Sequence, residues 1–257
     1  MPELPEVETL CRQLQKKIAG KKIAASAVYD SKLAHLQDMG GNTVVAVRRK
    51  GKTIEMLLNT GNSILIHLRM TGRLLWQKEA DRPKHTRWQM TLPAGNLYLV
   101  DPRRFATVRV SPTKDAPESN DIILDFDEQA FMANHGRRQT KVKNLIMDQK
   151  AISGIGNIYA CEILHAAGVH PEKKAAALTK KDWAKIFRNA KNILARAIEK
   201  RGTSISDWRD LNGLKGENQF ELNAYGQEGK KCIKCGETIS RIKQGGRSTF
   251  YCPNCQR

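Results

Sequence analysis

Residues 43–77 read TVVAVRRKGKTIEMLLNTGNSILIHLRMTGRLLWQ and contain four successive short apolar runs. Turn residues such as Thr60-Gly61-Asn62 separate the runs, which is the pattern of antiparallel strands. The same pattern extends outward over the whole segment from Lys22 to about Val110, with about eight such runs. Short strands at this spacing predict a β-sandwich or a barrel.

A helix is predicted before the strands, over residues 5–19. Pro5 suits its first turn and Gly20 can end it. Apolar residues recur along one face at helical spacing, as expected for a helix that packs on the strands. The residues of this stripe are Val7, Leu10, Leu14 and Ile18.

Helical patterns dominate the chain after a predicted linker at residues 111–126. Helices are predicted at 128–135, 141–149, 157–167 and from about Lys181 to Lys200. Residues 202–227 are rich in Gly and Asn with weak periodicity, so we expect a mobile loop there.

The fold class that follows is α+β. An N-terminal β-sandwich with a packed N-terminal helix is predicted over residues 1–112. A helical domain is predicted over 127–227, and residues 228–257, which contain two CxxC pairs, are predicted to form a C-terminal zinc finger.

Four of the six cysteines form two CxxC pairs near the C-terminus. Two such pairs can supply four thiolates in a tetrahedron, which favours one structural Zn²⁺ over a redox or disulfide function. Between the pairs, RIKQGGRSTFY (241–251) predicts a basic hairpin that either binds phosphates or is a solvated turn. Cys11 and Cys161 lie on apolar helix faces and are predicted core residues. The predicted zinc ligands are Cys232, Cys235, Cys252 and Cys255.

The charge balance favours a polyanionic partner. Lys and Arg number 44 against 26 Asp and Glu, a formal charge of +18. Charge alone is also compatible with a basic protein that lacks such a partner. No segment approaches the ~20 apolar residues of a membrane span, and the start lacks a signal-peptide pattern. We therefore expect a cytoplasmic protein with no membrane partner.

Pro2 follows the initiator methionine and is a candidate nucleophile. Removal of Met1 would leave a secondary amine with a pKa near ~8, so a useful neutral fraction exists at neutral pH. Its iminium with a sugar carbon cannot lose a proton to become a neutral imine, and therefore stays an electron sink. Glu3 and Glu6 are candidate proton-transfer groups. The simpler alternative is that these residues only cap a helix.

The start MPELPEVETL, together with the rest of the chain, resembles the formamidopyrimidine-DNA glycosylase and endonuclease VIII family. The resemblance implies that Pro2 is the nucleophile, Glu3 its acid–base partner and Glu6 a supporting residue. RRKGKTI (48–54) resembles the strand of that family whose lysine contacts DNA phosphate and assists the reaction, here Lys52.

Two further motifs carry residues that this family inserts into DNA. HLRMTG (67–72) includes His67 and Met70, and DPRRF (101–105) includes Arg103 and Phe105. The resemblance implies that Met70, Arg103 and Phe105 fill the gap left by a flipped base, and that His67 also binds DNA.

KVKNLIMDQKAISGIGNIYACE (141–162) resembles the family's helix-two-turn-helix, which binds the DNA backbone. Gly154 and Gly156 would let main-chain N–H groups approach a phosphate. The resemblance further implies phosphate contacts by Lys143, Asn157 and, in the finger, Arg247.

Three departures from the family pattern bear on the choice of damaged base. Ala106 follows DPRRF where glycine is usual, and SNDIILDF (119–126) replaces a Gly-Pro-containing segment. LNGLKGENQFELNAYG (211–226) matches the lesion-contacting loop only loosely. The PELPE start and the Met-Arg-Phe trio favour the formamidopyrimidine branch.

The predicted function is a bifunctional DNA glycosylase and AP lyase of base excision repair. It would remove 8-oxoguanine and formamidopyrimidines from double-stranded damaged DNA through the Pro2 iminium and cut the strand by β,δ-elimination. We expect a bacterial-type monomer, nucleoid-associated when bound to DNA, whose only cofactor is zinc. Two alternatives are a non-enzymatic damaged-DNA-binding protein and an AP lyase specialised for abasic sites or other lesions.

Overall fold

A computed structural model of the protein describes residues 2–79, 81–115 and 120–257, except the side chain of residue 115. The chain forms two compact units. The first contains the described residues up to 115 together with Lys200–Glu217, and the second contains residues 120–199 and Asn218–Arg257. The domain bounds 1–112, 127–227 and 228–257 stay a prediction, because this division by packing crosses them.

The first unit is a helix packed with two antiparallel four-stranded sheets. Their strand orders are β1-β6-β7-β5 and β2-β3-β4-β8. The described elements are α1 (Leu4–Ile18), β1 (Ala25–Val28), β2 (Val44–Lys50), β3 (Thr53–Leu58), β4 (Asn62–His67), β5 (Arg73–Gln77), β6 (Thr86–Leu92), β7 (Gly95–Val100) and β8 (Thr107–Pro112). This architecture confirms the predicted β-sandwich with a packed N-terminal helix.

One hydrophobic core joins α1 to both sheets. The predicted stripe of α1 is buried, and Leu10, Leu14 and Ile18 are fully inaccessible to solvent. Trp88 of β6 and Ile64 of β4 lie in the same cluster, so each sheet contributes its inner face. The alternation of apolar residues along each strand therefore places the other side chains of β3, β4 and β8 outside this core.

Residues 200–217 pack with the sandwich, and the structure corrects the expectation of a mobile loop in this part of 202–227. Trp208 and Leu211 lie in the core of the first unit. The Gln13 side chain donates to Asp210 Oδ2 (2.9 Å) and accepts from the Leu211 amide (3.0 Å). This segment is anchored by a few separate side chains and not by a regular apolar stripe. Its weak hydrophobic periodicity therefore did not show that it is packed.

The second unit contains four described α-helices and a β-hairpin. The elements are α2 (Glu128–His135), α3 (Val142–Ile146), α4 (Asn157–Ala167), α5 (Lys180–Glu199), β9 (Ser240–Gln244) and β10 (Arg247–Tyr251). Rings of Phe131, Trp183 and Phe187 contact one another between α2 and α5. The predicted helices and hairpin are confirmed within a few residues, whereas residues 116–119 of the predicted linker lie outside the described residues.

None of the helices in the described part of the chain combines the length and apolar character that crossing a bilayer requires.

Candidate functional site

The three acid–base and nucleophile candidates lie together at the start of α1. Pro2, Glu3 and Glu6 are buried. The Glu3 amide donates to Glu6 Oε2 (2.7 Å), and the Glu3 side chain accepts from the Glu6 backbone amide, which completes a capping box. Pro5 occupies the first turn, where its missing N–H costs nothing. The local sequence therefore both starts the helix and fixes the Glu3 and Glu6 carboxylates in its first turn, which directly follows Pro2.

Glu6 has a second backbone partner that the sequence did not indicate. The Thr203 amide donates to Glu6 Oε1 at 2.7 Å. Gly202 lies against the same carboxylate in a left-handed conformation with φ +78°, and an added Cβ would lie 2.6 Å from Glu6 Oε1. The sequence offered one signal for this contact. A glycine follows the end of the long predicted helix, in RGTS (201–204).

Lys52 and His67 lie near each other at one end of the second sheet, Lys52 in the turn before β3 and His67 at the end of β4. Lys52 is buried in the β2–β3 turn, and its neighbour Thr53 pairs in register with His67. Burial, assisted by the charges of Arg69 and Lys52, lowers the pKa of His67 to about 4. His67 Nδ1 accepts the Arg69 amide proton (3.1 Å), so the neutral ring carries its proton on Nε2 and presents a donor there.

Met70, Arg103 and Phe105 come together on the surface of the first unit. The Arg103 guanidinium lies 4.7 Å from the centre of the Phe105 ring, and its Nη1 lies 3.9 Å from Met70 Sδ. Met70 is 53% exposed and Phe105 45% exposed. Two loops, one after β4 and one between β7 and β8, bring these residues together. Exposed apolar side chains grouped around an arginine mark a binding surface.

Asp101 holds the loop that carries Arg103 and Phe105. Its buried carboxylate accepts amide protons from Arg103 (3.2 Å), Phe105 (2.7 Å) and Ala106 (2.7 Å), and a hydroxyl proton from Thr71 (2.5 Å). Burial opposes ionisation of Asp101, but these donors outweigh it, so the pKa of this carboxyl lies below its usual value.

Two arginines complete the support of this loop. Arg87 donates to the Ala106 carbonyl (2.6 Å) and pairs with Asp30. Arg104, which has φ +58°, pairs with the same Asp30 carboxylate. The DPRRF motif predicted the residues that point outward but gave no sign of this buried network.

Replacing Asp101 by Asn should lower the free energy of unfolding at pH 7 by about 2–4 kcal/mol, because several buried donors lose a charged acceptor. The folded-state pKa of Asp101 is depressed, so this stabilisation is complete above the unfolded pKa near ~3.9. It disappears as the pH falls through the lower folded-state pKa. Denaturant unfolding at pH 7 and near pH 3 measures both effects. The exposed Asp207→Asn variant is the control, and equal losses in the two variants at pH 7 would contradict the assignment.

In the second unit, Lys143 and Asn157 are parts of one buried network. The Lys143 ammonium donates to Asn157 Oδ1 (2.5 Å) and Thr249 Oγ1 (2.7 Å), and Asn157 Nδ2 donates to the Ser248 carbonyl (3.0 Å). Lys143 is only 1% exposed. Its ammonium therefore ties the start of α4 to the β9–β10 hairpin.

The other predicted phosphate-binding residues of this unit are neighbours in sequence of that network. Gly156 is the N-cap of α4 and Asn157 its first residue, so the first amides of this helix form a site suited to an anion. Arg247 is exposed and begins β10, next to Ser248. Gly154 adopts φ +104° in the connection before α4.

The four predicted zinc ligands form one cluster. Their sulfur atoms lie within 4.8 Å of one another, with Cys232–Cys255 at 3.9 Å and Cys235–Cys252 at 3.5 Å. Zinc at ~2.3 Å from four sulfurs implies sulfur–sulfur separations of about 3.8 Å. The donor set therefore fits one structural zinc ion, as predicted.

His165 and Cys161 of α4 support this cluster from outside. His165 Nε2 lies 3.3 Å from Cys232 Sγ, in position to donate to the thiolate. Lys234 donates to the His165 carbonyl at 2.8 Å. Cys161 is a core residue, as predicted, and packs with Cys232 and Cys252. A histidine four positions after a core cysteine is too common a pattern to have indicated this role.

Models of known protein families match three consecutive parts of the chain. The formamidopyrimidine-DNA glycosylase N-terminal domain matches residues 1–108, the H2TH domain of the same enzyme 116–208, and the zinc finger found in FPG and IleRS 229–257. A formamidopyrimidine-DNA glycosylase of Pelotomaculum thermopropionicum is 38% identical over 275 residues, covering 100% of this chain and 99% of that protein. One of Carboxydothermus hydrogenoformans is 37% identical over 265 residues, covering 100% of both.

Solved structures agree with these matches. A mutant of the Lactococcus lactis protein FPG in complex with Fapy-dG-containing DNA superposes with a TM-score of 0.92 at 32% identity, covering 100% of both chains. Lactococcus lactis Fpg with DNA containing an abasic site gives 0.91 at 31% identity, again covering 100% of both.

A sandwich, a helix-two-turn-helix and a four-cysteine finger on one chain define a class of DNA-binding repair enzymes. The chain belongs to the formamidopyrimidine-DNA glycosylase family. The predicted resemblance, fold class, enzyme class and zinc site are thereby confirmed.

Proposed function

We propose that this base excision repair glycosylase removes oxidised purines from double-stranded DNA and cuts the strand at the resulting abasic site, with Pro2 as its nucleophile. The observation that carries the proposal is the buried group of Pro2, Glu3 and Glu6 at the start of α1. Relatives of matching architecture are bound to Fapy-dG, to an abasic site and to a carbocyclic 8-oxoguanine analogue.

The chemistry begins once Met1 has been removed. The Pro2 nitrogen attacks C1′ of the flipped nucleotide, and the bond between C1′ and the base breaks with its electron pair leaving on the base. Glu3 protonates the ring oxygen as the sugar opens, which generates the iminium. Loss of a C2′ proton then expels the 3′ phosphate by β-elimination, and a second elimination expels the 5′ phosphate.

The remaining site residues hold the DNA. Lys52 and the Nε2–H donor of neutral His67 face the phosphates flanking the lesion. The exposed group of Met70, Arg103 and Phe105 fills the gap in the stack, with Arg103 available to the orphaned base.

The second unit contributes the remaining backbone contacts. The Gly156 and Asn157 amides at the start of α4, together with Arg247, bind phosphates. Lys143 supports this contact by orienting the Asn157 side chain and anchoring the hairpin. The zinc ion keeps the hairpin folded and takes no part in bond breaking, since four thiolates complete its coordination.

An excision assay on matched duplexes tests the substrate assignment. We expect release of 8-oxoguanine and formamidopyrimidine lesions and strand cleavage at each site, with no release from the undamaged duplex. Cleavage of the abasic duplex without base release would favour the specialised AP lyase. Tight binding without either reaction, in protein lacking Met1, would favour the non-enzymatic binder. We further propose a cytoplasmic monomer, which sedimentation of the free protein tests for oligomeric state.

DNA binding should weaken steeply with salt, because the proposed interface neutralises phosphates. With two charged phosphate contacts, from Lys52 and Arg247, affinity for a lesion duplex should fall about 10-fold between about 50 and 200 mM salt. Arg247→Gln should lower the slope of log K against log salt by about 1. Fluorescence anisotropy titrations at several salt concentrations measure both values. An affinity that barely changes with salt would contradict the phosphate contacts.

A further inference from the structure

Each oxygen of the Glu6 carboxylate accepts a hydrogen bond from a backbone amide. Oε2 accepts from the Glu3 amide and Oε1 from the Thr203 amide, both at 2.7 Å. Glu6 is 2% exposed and Thr203 3% exposed. The Glu3 bond is made within α1, whereas the Thr203 bond comes from a segment 197 positions away along the chain. Hydrogen bonds from N–H groups to a carboxylate are stronger than neutral ones and fix its orientation.

The turn that presents the Thr203 amide has a conformation and close contacts that few residues can adopt. Arg201 and Gly202 adopt consecutive left-handed conformations with φ +58° and +78°, directly after α5. An added Cβ at Gly202 would lie 2.6 Å from Glu6 Oε1 and 2.8 Å from its Cγ, closer than real Cβ contacts allow. Position 202 therefore needs glycine for its conformation and for its contact with Glu6.

Later residues of the same segment hold this turn in place. The Trp208 indole donates to the Arg201 carbonyl (3.2 Å), and the Gly216 amide donates to Ser204 Oγ (2.9 Å). Gly216 lies so close that an added Cβ would be 2.2 Å from the Gly202 carbonyl oxygen. The segment is thus a rigid support behind Glu6.

We propose that Gly202 and Thr203 are positioning residues for the bond-breaking step and act through the Glu6 carboxylate. The inference rests on the proposed function, in which Glu6 supports the Pro2 amine and Glu3. Neither residue needs to touch DNA for this role. A substitution that disturbs this positioning should therefore slow the bond-breaking step and leave the affinity for DNA unchanged.

Gly202→Ala tests the proposal against a closely matched control. Gly61 also has φ +78°, in the turn between β3 and β4, and nothing lies within 4 Å of its added Cβ. Both substitutions therefore place a side chain at the same left-handed φ, but only the methyl group added at position 202 displaces Glu6. We expect Gly202→Ala to lower the single-turnover rate of 8-oxoguanine excision about 100-fold, as a displacement near 1 Å does. Gly61→Ala should stay within about twofold of the unchanged protein.

A double-substitution cycle with Glu6→Ala shows whether the effect passes through Glu6. Removing the carboxylate removes the group that the added methyl displaces, so Gly202→Ala should cost less than about twofold in that background. Affinity for a duplex with a tetrahydrofuran abasic analogue should remain unchanged in every variant, and thermal melting verifies folding.

The outcomes separate this inference from the proposed function. If the unchanged protein excises 8-oxoguanine but Gly202→Ala matches Gly61→Ala, or its effect adds fully to that of Glu6→Ala, the positioning role is overturned while the function stands. If weaker DNA binding accounts for the loss, the segment is a binding element and the inference is also overturned. Absence of excision by the unchanged protein would overturn the function and the inference together.

Discussion

Insertion of one residue before Pro2 is expected to reduce lesion excision by about 10,000-fold, the scale on which loss of a covalent nucleophile acts. The inserted residue converts the Pro2 nitrogen into an amide, whose lone pair is delocalised and cannot attack a sugar carbon. It also moves the free amine by about 3.8 Å. Single-turnover kinetics on an 8-oxoguanine duplex measure the loss.

Pro2→Gly provides the complementary test, since it keeps a free amine in place but makes it primary. Its imine can lose a proton and stop being an electron sink, so we expect slower elimination after base loss and a smaller overall effect. Binding to the tetrahydrofuran duplex should survive both changes. Excision at the normal rate by the extended protein, with its mass verified, would show that Pro2 is not the nucleophile.

Loss of zinc is expected to weaken DNA binding at least about 100-fold, because folding of a small finger depends on its metal. Cys252→Ser removes a fully buried ligand that also packs against Cys161, Ile239 and Phe250. The β9–β10 hairpin would then lose the order that sets Ser248 and Thr249 against Asn157 and Lys143. The fold of the sandwich should survive, since it has its own core.

Cys11→Ser is the matched control for that experiment. Cys11 is a buried cysteine of α1 whose thiol donates to the Arg48 carbonyl (3.4 Å), a bond that a serine hydroxyl can replace. The control should keep one zinc per chain and full affinity for the tetrahydrofuran duplex. Stoichiometric zinc or unchanged affinity in Cys252→Ser would contradict the assignment.

Periodic features of the chain were predictable because burial imposes them on the sequence. The strands β2 to β5 lie within the segment 43–77 that was predicted to hold four strands, the helices α2 and α4 have the predicted bounds, and the stripe of α1 packs as expected. The CxxC pairs were equally informative, because a tetrahedral thiolate site requires that spacing.

Contacts between residues distant along the chain were not predictable. Nothing in MPELPEVETL indicates that Thr203 completes the environment of Glu6, because the bond joins backbone to side chain and leaves no pattern. Likewise, the resemblance implies a phosphate contact for Lys143 but gives no sign that the residue is 1% exposed, with its ammonium shared between Asn157 and Thr249. Burial of a charge depends on partners that only the fold supplies.

The structure explains why alanine can replace the family's usual glycine at position 106. Its φ is not in the left-handed region, unlike that of Arg104 two residues earlier, so the loop does not require glycine there. The Ala106 amide still donates to Asp101 and its carbonyl still accepts from Arg87. The loop that presents Arg103 and Phe105 is therefore intact.

Borohydride trapping followed by peptide mapping tests most directly whether the Pro2 nitrogen forms the covalent intermediate. The protein is incubated with a duplex carrying 8-oxoguanine and with one carrying an abasic site, reduced, and digested with trypsin. We expect a covalent adduct on both duplexes, located on the peptide of residues 2–12 at the Pro2 nitrogen. An adduct on a lysine such as Lys52, or none on either duplex from protein that lacks Met1 and binds DNA, would contradict it.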